Sequence, residues 1–273
     1  MPNLPDFRFS SQSLQDFEEC QQRFFLRYIQ KMDWPAEESS PYLAFEQFRQ
    51  KGSQFHACVE QYFHHGDPEK IERLIKDDDL RLWWKNFLRF SMEQQFTTAS
   101  SEILFQTSLQ GHILIAKYDL LVQQEDGSMT IFDWKTSASL KRTDREFLKK
   151  KMQTLVYPYV LCGSAGSQSI QPAQVKLVYW FPQYPDQPEQ FPYSSIQMQQ
   201  DERVLLERME EITRKTLDEF PKTEDEKRCR YCVYRSYCER GKRAANLFED
   251  DLELDFDLSE LDMDIDQALE IPY

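Results

Sequence analysis

The sequence predicts an α/β domain with a helical N-terminal cap, on three observations. Helical periodicity dominates from about residue 12 to residue 96. Strand-like runs then occupy 103–109, 112–123 and 129–136. Beyond them, helical and strand patterns alternate to about residue 219, the texture of an α/β chain rather than of an all-helical or all-β one.

The elements can be justified in order. Residues 12–30 form an amphipathic pattern started by Ser11 or Ser13, with Leu14, Phe17, Phe24, Phe25 and Tyr28 as apolar anchors. A linker containing Pro35 and Pro41 follows, and helical patterns resume over 42–65 and 78–96. The strands 112–123 and 129–136 are separated by Glu125-Asp126-Gly127, a three-residue hairpin loop ending on the glycine that such loops use in the left-handed conformation. In that register Gln124 faces Ser128, and counting outward sets Asp119 opposite Asp133. A lysine-rich helix over 144–161, a strand over 175–181, a second near 191–196 and a helix over 201–219 complete the series before Pro221. No internal repeat is present. The boundary falls at residue 248: 1–248 read as one folded domain and 249–273 as an acidic, disordered tail.

Composition bounds the environment. With 40% hydrophobic and 14% aromatic residues the chain can bury a sizeable core. No run approaches the ~18 uninterrupted apolar residues of a membrane helix, and the polar, proline-containing start does not read as a secretory leader. A cytoplasmic protein with no membrane partner is expected, its cysteines reduced and available for metal rather than for disulfides. The net charge of −14 is uneven: 11 of the 47 acids lie in 249–273, where there is no base, and the remaining 36 face 33 bases. A nearly neutral body leaves room for a local basic surface, so the global sign does not exclude nucleic acid.

The chemistry concentrates on the hairpin. Two carboxylates directly opposite on one sheet face repel one another, and a divalent cation between them is the economical compensation. Strand alternation adds Lys135 to the face of Asp133 and turns Trp134 away with Phe132. An Asp, Asp, Lys face suits phosphoryl chemistry, in which a metal ion polarises an oxygen and an ammonium stabilises developing charge. His56 and Glu60 share a helix face at i, i+4, as do Gln153 and Tyr157. Cys229-x2-Cys232-x5-Cys238 supplies three thiolates of a four-ligand site, which fits either zinc or an iron–sulfur cluster. Cys58 and Cys162 sit in apolar helical contexts as ordinary thiols.

In combination these motifs resemble the RecB-like branch of the PD-(D/E)XK nucleases, including AddB nuclease domains and CRISPR-associated RecB-like exonucleases. The resemblance covers about residues 7–242: Ser11-x-Ser13-x3-Phe17-x2-Cys20-x2-Arg23-Phe24, Gly52-x3-His56, Asp119, Asp133-Trp134-Lys135, Gln153-x3-Tyr157 and the cysteines, in the family's order. It implies a restriction-endonuclease-like core, a central mixed β-sheet flanked by helices, and Mg²⁺- or Mn²⁺-dependent DNA cleavage, as an exonuclease in repair or recombination. It further implies metal binding by His56, Asp119, Asp133 and the carbonyl of Trp134, a catalytic Lys135, and support from Gln153 and Tyr157. Cys20 would join Cys229, Cys232 and Cys238 around a 4Fe–4S cluster that staples the two ends of the domain. Where family members often carry Gly-x-Ile-Asp-Arg, this chain has Ala116-Lys117-Tyr118-Asp119-Leu120.

Between Lys141 and Lys151 six bases, among them Lys141, Arg142, Arg145, Lys149 and Lys150, face two acids, a segment suited to gripping a DNA backbone. The tail interleaves acids with Leu252, Leu254, Phe256, Leu258 and Leu261, a pattern that folds on a partner such as a helicase or repair protein, or masks the basic groove. No G-x4-G-K-[ST] motif is present, so unwinding would have to come from another chain. Two alternatives stand beside the nuclease: a subunit of the same fold that binds DNA or a helicase without cutting, and a zinc-bearing adaptor.

Overall fold

The computed structural model describes residues 7–32, 40–94, 96, 98–136, 143–164, 170–229 and 232–241.

Two glycine-bearing turns organise the centre of the fold. Gln110 and Gly111, at φ +48° and +89°, join the strands β2 (Thr98–Leu109) and β3 (His112–Gln123). Two successive positive φ values give a turn whose twist matches that of the strands. Gly127, at φ +81°, closes the loop from β3 to β4 (Met129–Trp134). Gln124 N–H donates to the Ser128 carbonyl at 2.8 Å, and the ladder runs from Gln123 opposite Met129 to Leu120 opposite Phe132. This is the register predicted from loop length; the ladder ends one step before Asp119 and Asp133, and there the Asp119 side chain accepts from Trp134 N–H.

The short β1 (Arg8–Phe9) pairs parallel with the start of β3, β4 pairs parallel with β5 (Val175–Trp180), and β5 pairs antiparallel with β6 (Glu189–Pro192). The resulting six-stranded mixed sheet has the order β1-β3-β4-β5-β6, with β2 along the other edge of β3. Helices cover both faces. On one, α1 (Ser11–Glu19), α7 (Met152–Gly163) and α8 (Ser195–Arg214) bury Leu14, Phe17, Val156 and Leu205 with Tyr118 and Ile131. On the other, α3 (Ser40–Phe63), α4 (Pro68–Leu74) and α5 (Asp78–Gln94) bury Phe55, Trp84 and Phe87 with Phe132, Trp134 and Trp180. At about 1.5–3 kcal/mol for each large apolar side chain removed from water, the two cores pin the sheet between its helices.

Strands β2 and β3 change faces midway, which simple alternation does not anticipate. Leu114, Ala116 and Tyr118 lie in the first core, whereas Leu120 and Val122 lie in the second. On β2, Ile103 and Phe105 pack on the first core and Ala99 on the second. The switch falls at Glu102 and Asp119, the facing pair absent from an otherwise unbroken ladder, and Glu102 takes φ +52°. A non-glycine residue held there costs on the order of 1–3 kcal/mol.

Several boundaries depart from the sequence expectation for local reasons. The first helix is capped by Ser10, whose hydroxyl accepts from Ser13 N–H while Ser13 answers it in a capping box. It stops at Cys20, which is extended (φ −162°, ψ 106°), before α2 (Gln21–Phe24) continues into one π-helical stretch, Phe25–Ile29. Pro41, expected in the linker, falls in the first turn of α3, where its missing N–H removes no helical bond. The helix α4 was not anticipated; Asp67 caps it and Pro68 opens it. The lysine-rich helix is two, α6 (Arg145–Lys150) and α7, separated by an extended Lys151. The last strand ends at Pro192 because Ser194 caps α8, its hydroxyl accepting from Gln197 N–H at 3.1 Å.

Candidate active site

The end of β4 and the first turn of α7 build a closed polar triangle. Lys135 Nζ stands 2.8 Å from Asp133 Oδ2 and donates to Gln153 Oε1 at 2.6 Å, and Gln153 Nε2 donates to Asp133 Oδ1 at 2.6 Å. An ammonium has no acceptor and a carboxylate no donor, so the amide orientation is dictated by its two neighbours. Asp133 and Lys135 are 3% and 5% exposed, so each charge depends on the other and on Gln153. Tyr157, one helical turn beyond Gln153, pairs its hydroxyl with the Gln153 side chain; burial, with Asp133 and Asp119 nearby, raises its pKa well above the usual phenol range and keeps it protonated. Tyr118 OH donates to the Tyr157 carbonyl at 2.9 Å, fixing α7 against the sheet.

Asp119 and His56 stand on the other side. Asp119 Oδ2 accepts from Trp134 N–H at 2.7 Å, and its Oδ1 lies 3.4 Å from His56 Nδ1. His56 Nε2 is 3.0 Å from the Trp134 carbonyl oxygen. The imidazole therefore bridges the carboxylate and the strand end, while the Trp134 ring is buried in the second core. Burial disfavours the imidazolium, but Asp119, by charge and hydrogen bond, outweighs it together with Asp133 and Glu102, and the pKa is raised to about 9. Glu60, one turn beyond His56 on α3, lies 4.0 Å from His64 and is not in the group that could hold a metal ion.

Gly52 allows α3 to approach. A Cβ at that position would lie 2.6 Å from Thr136 Oγ1, a buried atom on the residue that follows Lys135. Gly52→Ala is expected to push α3 from the strand end and cost about 1–3 kcal/mol, as overpacking does. Thermal unfolding measures it; an unchanged Tm would show that Thr136 yields freely.

One site residue escaped the sequence reading. Glu102 has a carboxylate oxygen within 4.8 Å of donor atoms of both His56 and Asp119, a set of one nitrogen and two carboxylates that could hold a metal ion. Its carboxyl pKa is raised, by burial and by Asp119, against the pull of Lys117, whose Nζ is 2.5 Å away. The signal was available: counting back from the Gln110-Gly111 turn places Glu102 opposite Asp119.

The remaining predicted residues are dispersed. The thiols of Cys20, Cys229, Cys232 and Cys238 lie close enough that Cys20 raises the pKa of the other three, and Cys238 is pushed up to about 11 by burial and its neighbouring thiols. Beside them Asp16, fully buried, is ion-paired to Arg23 and Arg27 at 2.8 Å each. Lys149 and Lys150 are exposed in the last turn of α6. Arg145 is engaged by β6, donating to Glu189 and to the Gln190 carbonyl, with its guanidinium 4.5 Å from the centre of the Phe191 ring. Lys141 and Arg142 lie outside the described residues, as does the tail. Among the described residues no helix is long and apolar enough to cross a membrane.

Two solved structures resemble the chain at low identity. SSO0001 aligns over 85% of this chain and 86% of its own, with 13% identity and a TM-score of 0.40. A Eubacterium rectale protein named "Putative exonuclease" aligns over 77% and 81%, with 11% identity and a TM-score of 0.46. No curated protein sequence matches. The assignment comes from the sequence profile of one family, which matches residues 8–239 and so spans the sheet, both helical layers and the four cysteines. The chain belongs to the PD-(D/E)XK nuclease superfamily.

Proposed function

We propose that this protein is a Mg²⁺- or Mn²⁺-dependent deoxyribonuclease of the RecB-like branch, hydrolysing DNA phosphodiester bonds from an end during repair or recombination. The observation that carries the proposal is the closed triangle of Asp133, Lys135 and Gln153 beside Asp119, His56 and the Trp134 carbonyl. Oxygen donors with one imidazole suit a hard divalent ion. His56, Asp119, Asp133 and the Trp134 carbonyl would hold it; when bound, such an ion polarises a phosphoryl oxygen and lowers the pKa of water. Lys135 then offers its ammonium to the charge that develops on the phosphate, Gln153 keeps Lys135 and Asp133 in register, and Tyr157 holds Gln153.

The test is end-labelled linear and circular DNA, single- and double-stranded, with Mg²⁺ or Mn²⁺. Cleavage of linear DNA alone supports the exonuclease. Cleavage of circles makes it an endonuclease, and DNA binding without metal-dependent cleavage leaves a non-cutting subunit.

The proton on His56 gives a pH dependence of known sign. Its pKa lies above the ordinary 6.5, so the imidazolium stabilises the ion-free fold at low pH and that contribution is lost as pH rises through about 9. A cation using this imidazole displaces the proton. Mn²⁺ affinity is expected to rise by up to about tenfold per pH unit towards pH 9, and calorimetric titration in two buffers of different ionisation enthalpy should register the released proton. Affinity flat from pH 6 to 9 would remove His56 from the ligand set.

We further propose that Cys20, Cys229, Cys232 and Cys238 ligate a 4Fe–4S cluster closing a domain of residues 1–248, that Lys141, Arg142, Arg145, Lys149 and Lys150 grip the DNA backbone, and that 249–273 dock a helicase or repair partner. The mutual influence of the four thiols supports the first. About four irons per chain after anaerobic purification would distinguish it from zinc. For the second, neutralising Lys149 and Lys150 should weaken DNA binding and lower its salt dependence. Deleting 249–273 should abolish partner pull-down without changing cleavage.

A further inference from the structure

The triangle of Asp133, Lys135 and Gln153 depends on the first turn of α7, because Gln153 is the second residue of that helix and bonds both of the others. A helix start is poorly held by default, since its first N–H groups have no partner within the helix. The Lys151 side chain, at the cap position, makes no capping bond. The Met152 N–H is taken from another element instead, by Gln15 Oε1 of α1 at 3.0 Å. We infer that Gln15, braced by Glu19, is a positioning residue for the cleavage reaction: it caps α7 from α1 and so sets where Gln153 meets Asp133 and Lys135. The inference rests on the nuclease reading above.

The grip has two parts. Gln15 and Glu19 stand at i, i+4 on α1 and so share a helix face. Gln15 Nε2 donates to Glu19 Oε1 at 2.8 Å, while Glu19 Oε2 accepts from Arg23 at 2.6 Å. Burial pushes the Glu19 carboxyl up, but Arg23 and then Lys151 outweigh it and hold its pKa below the usual range. Glu19 is therefore a carboxylate that feels the charge of Lys151, the residue before Met152. An N–H can only donate and a carboxylate only accept, so these partners fix which way the Gln15 amide points. Its oxygen faces α7 and cannot turn away without setting an NH₂ against the Met152 N–H.

The platform behind the grip is well anchored. The Ser10 and Ser13 capping box closes the start of α1, and Leu14 and Phe17 are buried in the first core. Asp16, fully buried, ties the helix to Arg23 and Arg27 at 2.8 Å each. A reacting constellation must be held to within about 0.5 Å, and a misplacement of about 1 Å can cost 10²-fold in rate. Gln15 acts on that tolerance through the backbone of Met152, the residue next to Gln153.

The test compares the full-length protein with two variants. Gln15→Met keeps the length of the side chain and removes the acceptor. The double variant Gln15→Glu, Glu19→Gln exchanges the two groups and keeps the bonds: the carboxylate at position 15 accepts from Met152 N–H, and the amide at position 19 joins it to Arg23. Gln15→Met should lower kcat on end-labelled DNA by about 10–100-fold and leave KM unchanged, well below its melting temperature. It should also speed hydrogen exchange at the Met152 amide, read by mass spectrometry with residue resolution. The exchanged pair should restore both. Wild-type kcat in Gln15→Met overturns the inference and leaves the nuclease reading standing. A loss of kcat that the exchanged pair does not restore does the same, because Gln15 would then act by packing alone. Unaltered exchange at Met152 overturns it too. No metal-dependent cleavage by the wild type overturns both readings. Should Gln15→Met fail to fold, Gln15→Asn, which keeps the amide but falls one methylene short of Met152, must lower kcat and speed the same exchange; if it does neither, the inference fails.

Discussion

Lys135→Ala is expected to lower kcat for DNA cleavage by about 10²–10³-fold or more, the scale on which removing one preorganised donor to developing charge acts. The reason lies in how the side chain is held. Its ammonium is buried at 5% exposure, bonded to Asp133 and to Gln153, and lies 5.1 Å from the centre of the Tyr179 ring. An exposed lysine would reorganise as charge develops on a phosphate; this one is already in place, in surroundings that screen it little. The same burial predicates a cost in stability. Without the ammonium, Asp133 keeps only its amide partner among the bonds just described, and breaking a buried pair from one side costs about 3–5 kcal/mol. If Asp133 binds the proposed divalent cation, the ion would offset part of that loss, so the variant should melt well below the wild type in chelator and closer to it in Mn²⁺. Lys135→Arg separates the two roles: it keeps the charge but cannot fit the triangle, and should recover stability in part and activity hardly at all. Full activity in Lys135→Ala, measured as kcat on end-labelled DNA, would remove the lysine from the chemistry.

Much of this arrangement could be read before any fold was known, because it follows from short-range rules. The loop Glu125-Asp126-Gly127 fixes its own register, since only a residue tolerant of φ > 0 closes it, and that register runs as far as Leu120 opposite Phe132, one step short of Asp119 and Asp133. Alternation over two residues places Lys135 with Asp133, and helical spacing places Tyr157 above Gln153. What stayed hidden depends on tertiary packing. A strand that changes faces has no signature in a period of two, so with β2 read as starting at residue 103 Glu102 was passed over, although the count from the Gln110-Gly111 turn reaches it. The break at Cys20 was hidden because the apolar pattern continues through it: Phe17 and Phe24 pack in one core on either side of the interruption. Gly52 could be noted in its motif, but its purpose, the approach of Thr136, exists only once helix and strand meet.

Cys232→Ser is expected to have the largest effect on stability. The two ends of the domain already touch without any cluster. Gln22 N–H donates to the Pro221 carbonyl at 3.0 Å, Tyr234 OH donates to the Met32 carbonyl at 2.9 Å, and Phe24 and Phe25 stack on Phe220 at 6.1 and 5.3 Å. These contacts are directional but few, and a chain closure spanning some two hundred residues must be made by them if no covalent link helps. In the chain-entropy account a single covalent link across a long loop contributes about 5 kcal/mol, and at about 2–4 °C per kcal/mol for a domain of this size the loss should lower Tm by roughly 10–20 °C. Cys232 is the position to choose because its thiol lies beside Arg23, a cation that the buried Asp16 holds there. A hydroxyl there offers no thiolate to a cluster, while Arg23 keeps Asp16 and Glu19 as its anionic partners. Iron content, visible absorbance and Tm should therefore fall together in Cys232→Ser, whereas Cys58→Ser and Cys162→Ser should keep all three. If the wild type carries neither iron nor zinc and Cys232→Ser melts with it, contacts such as Phe24 and Phe25 on Phe220, Gln22 to Pro221 and Tyr234 to Met32 hold the ends together, and the four thiols are ordinary side chains.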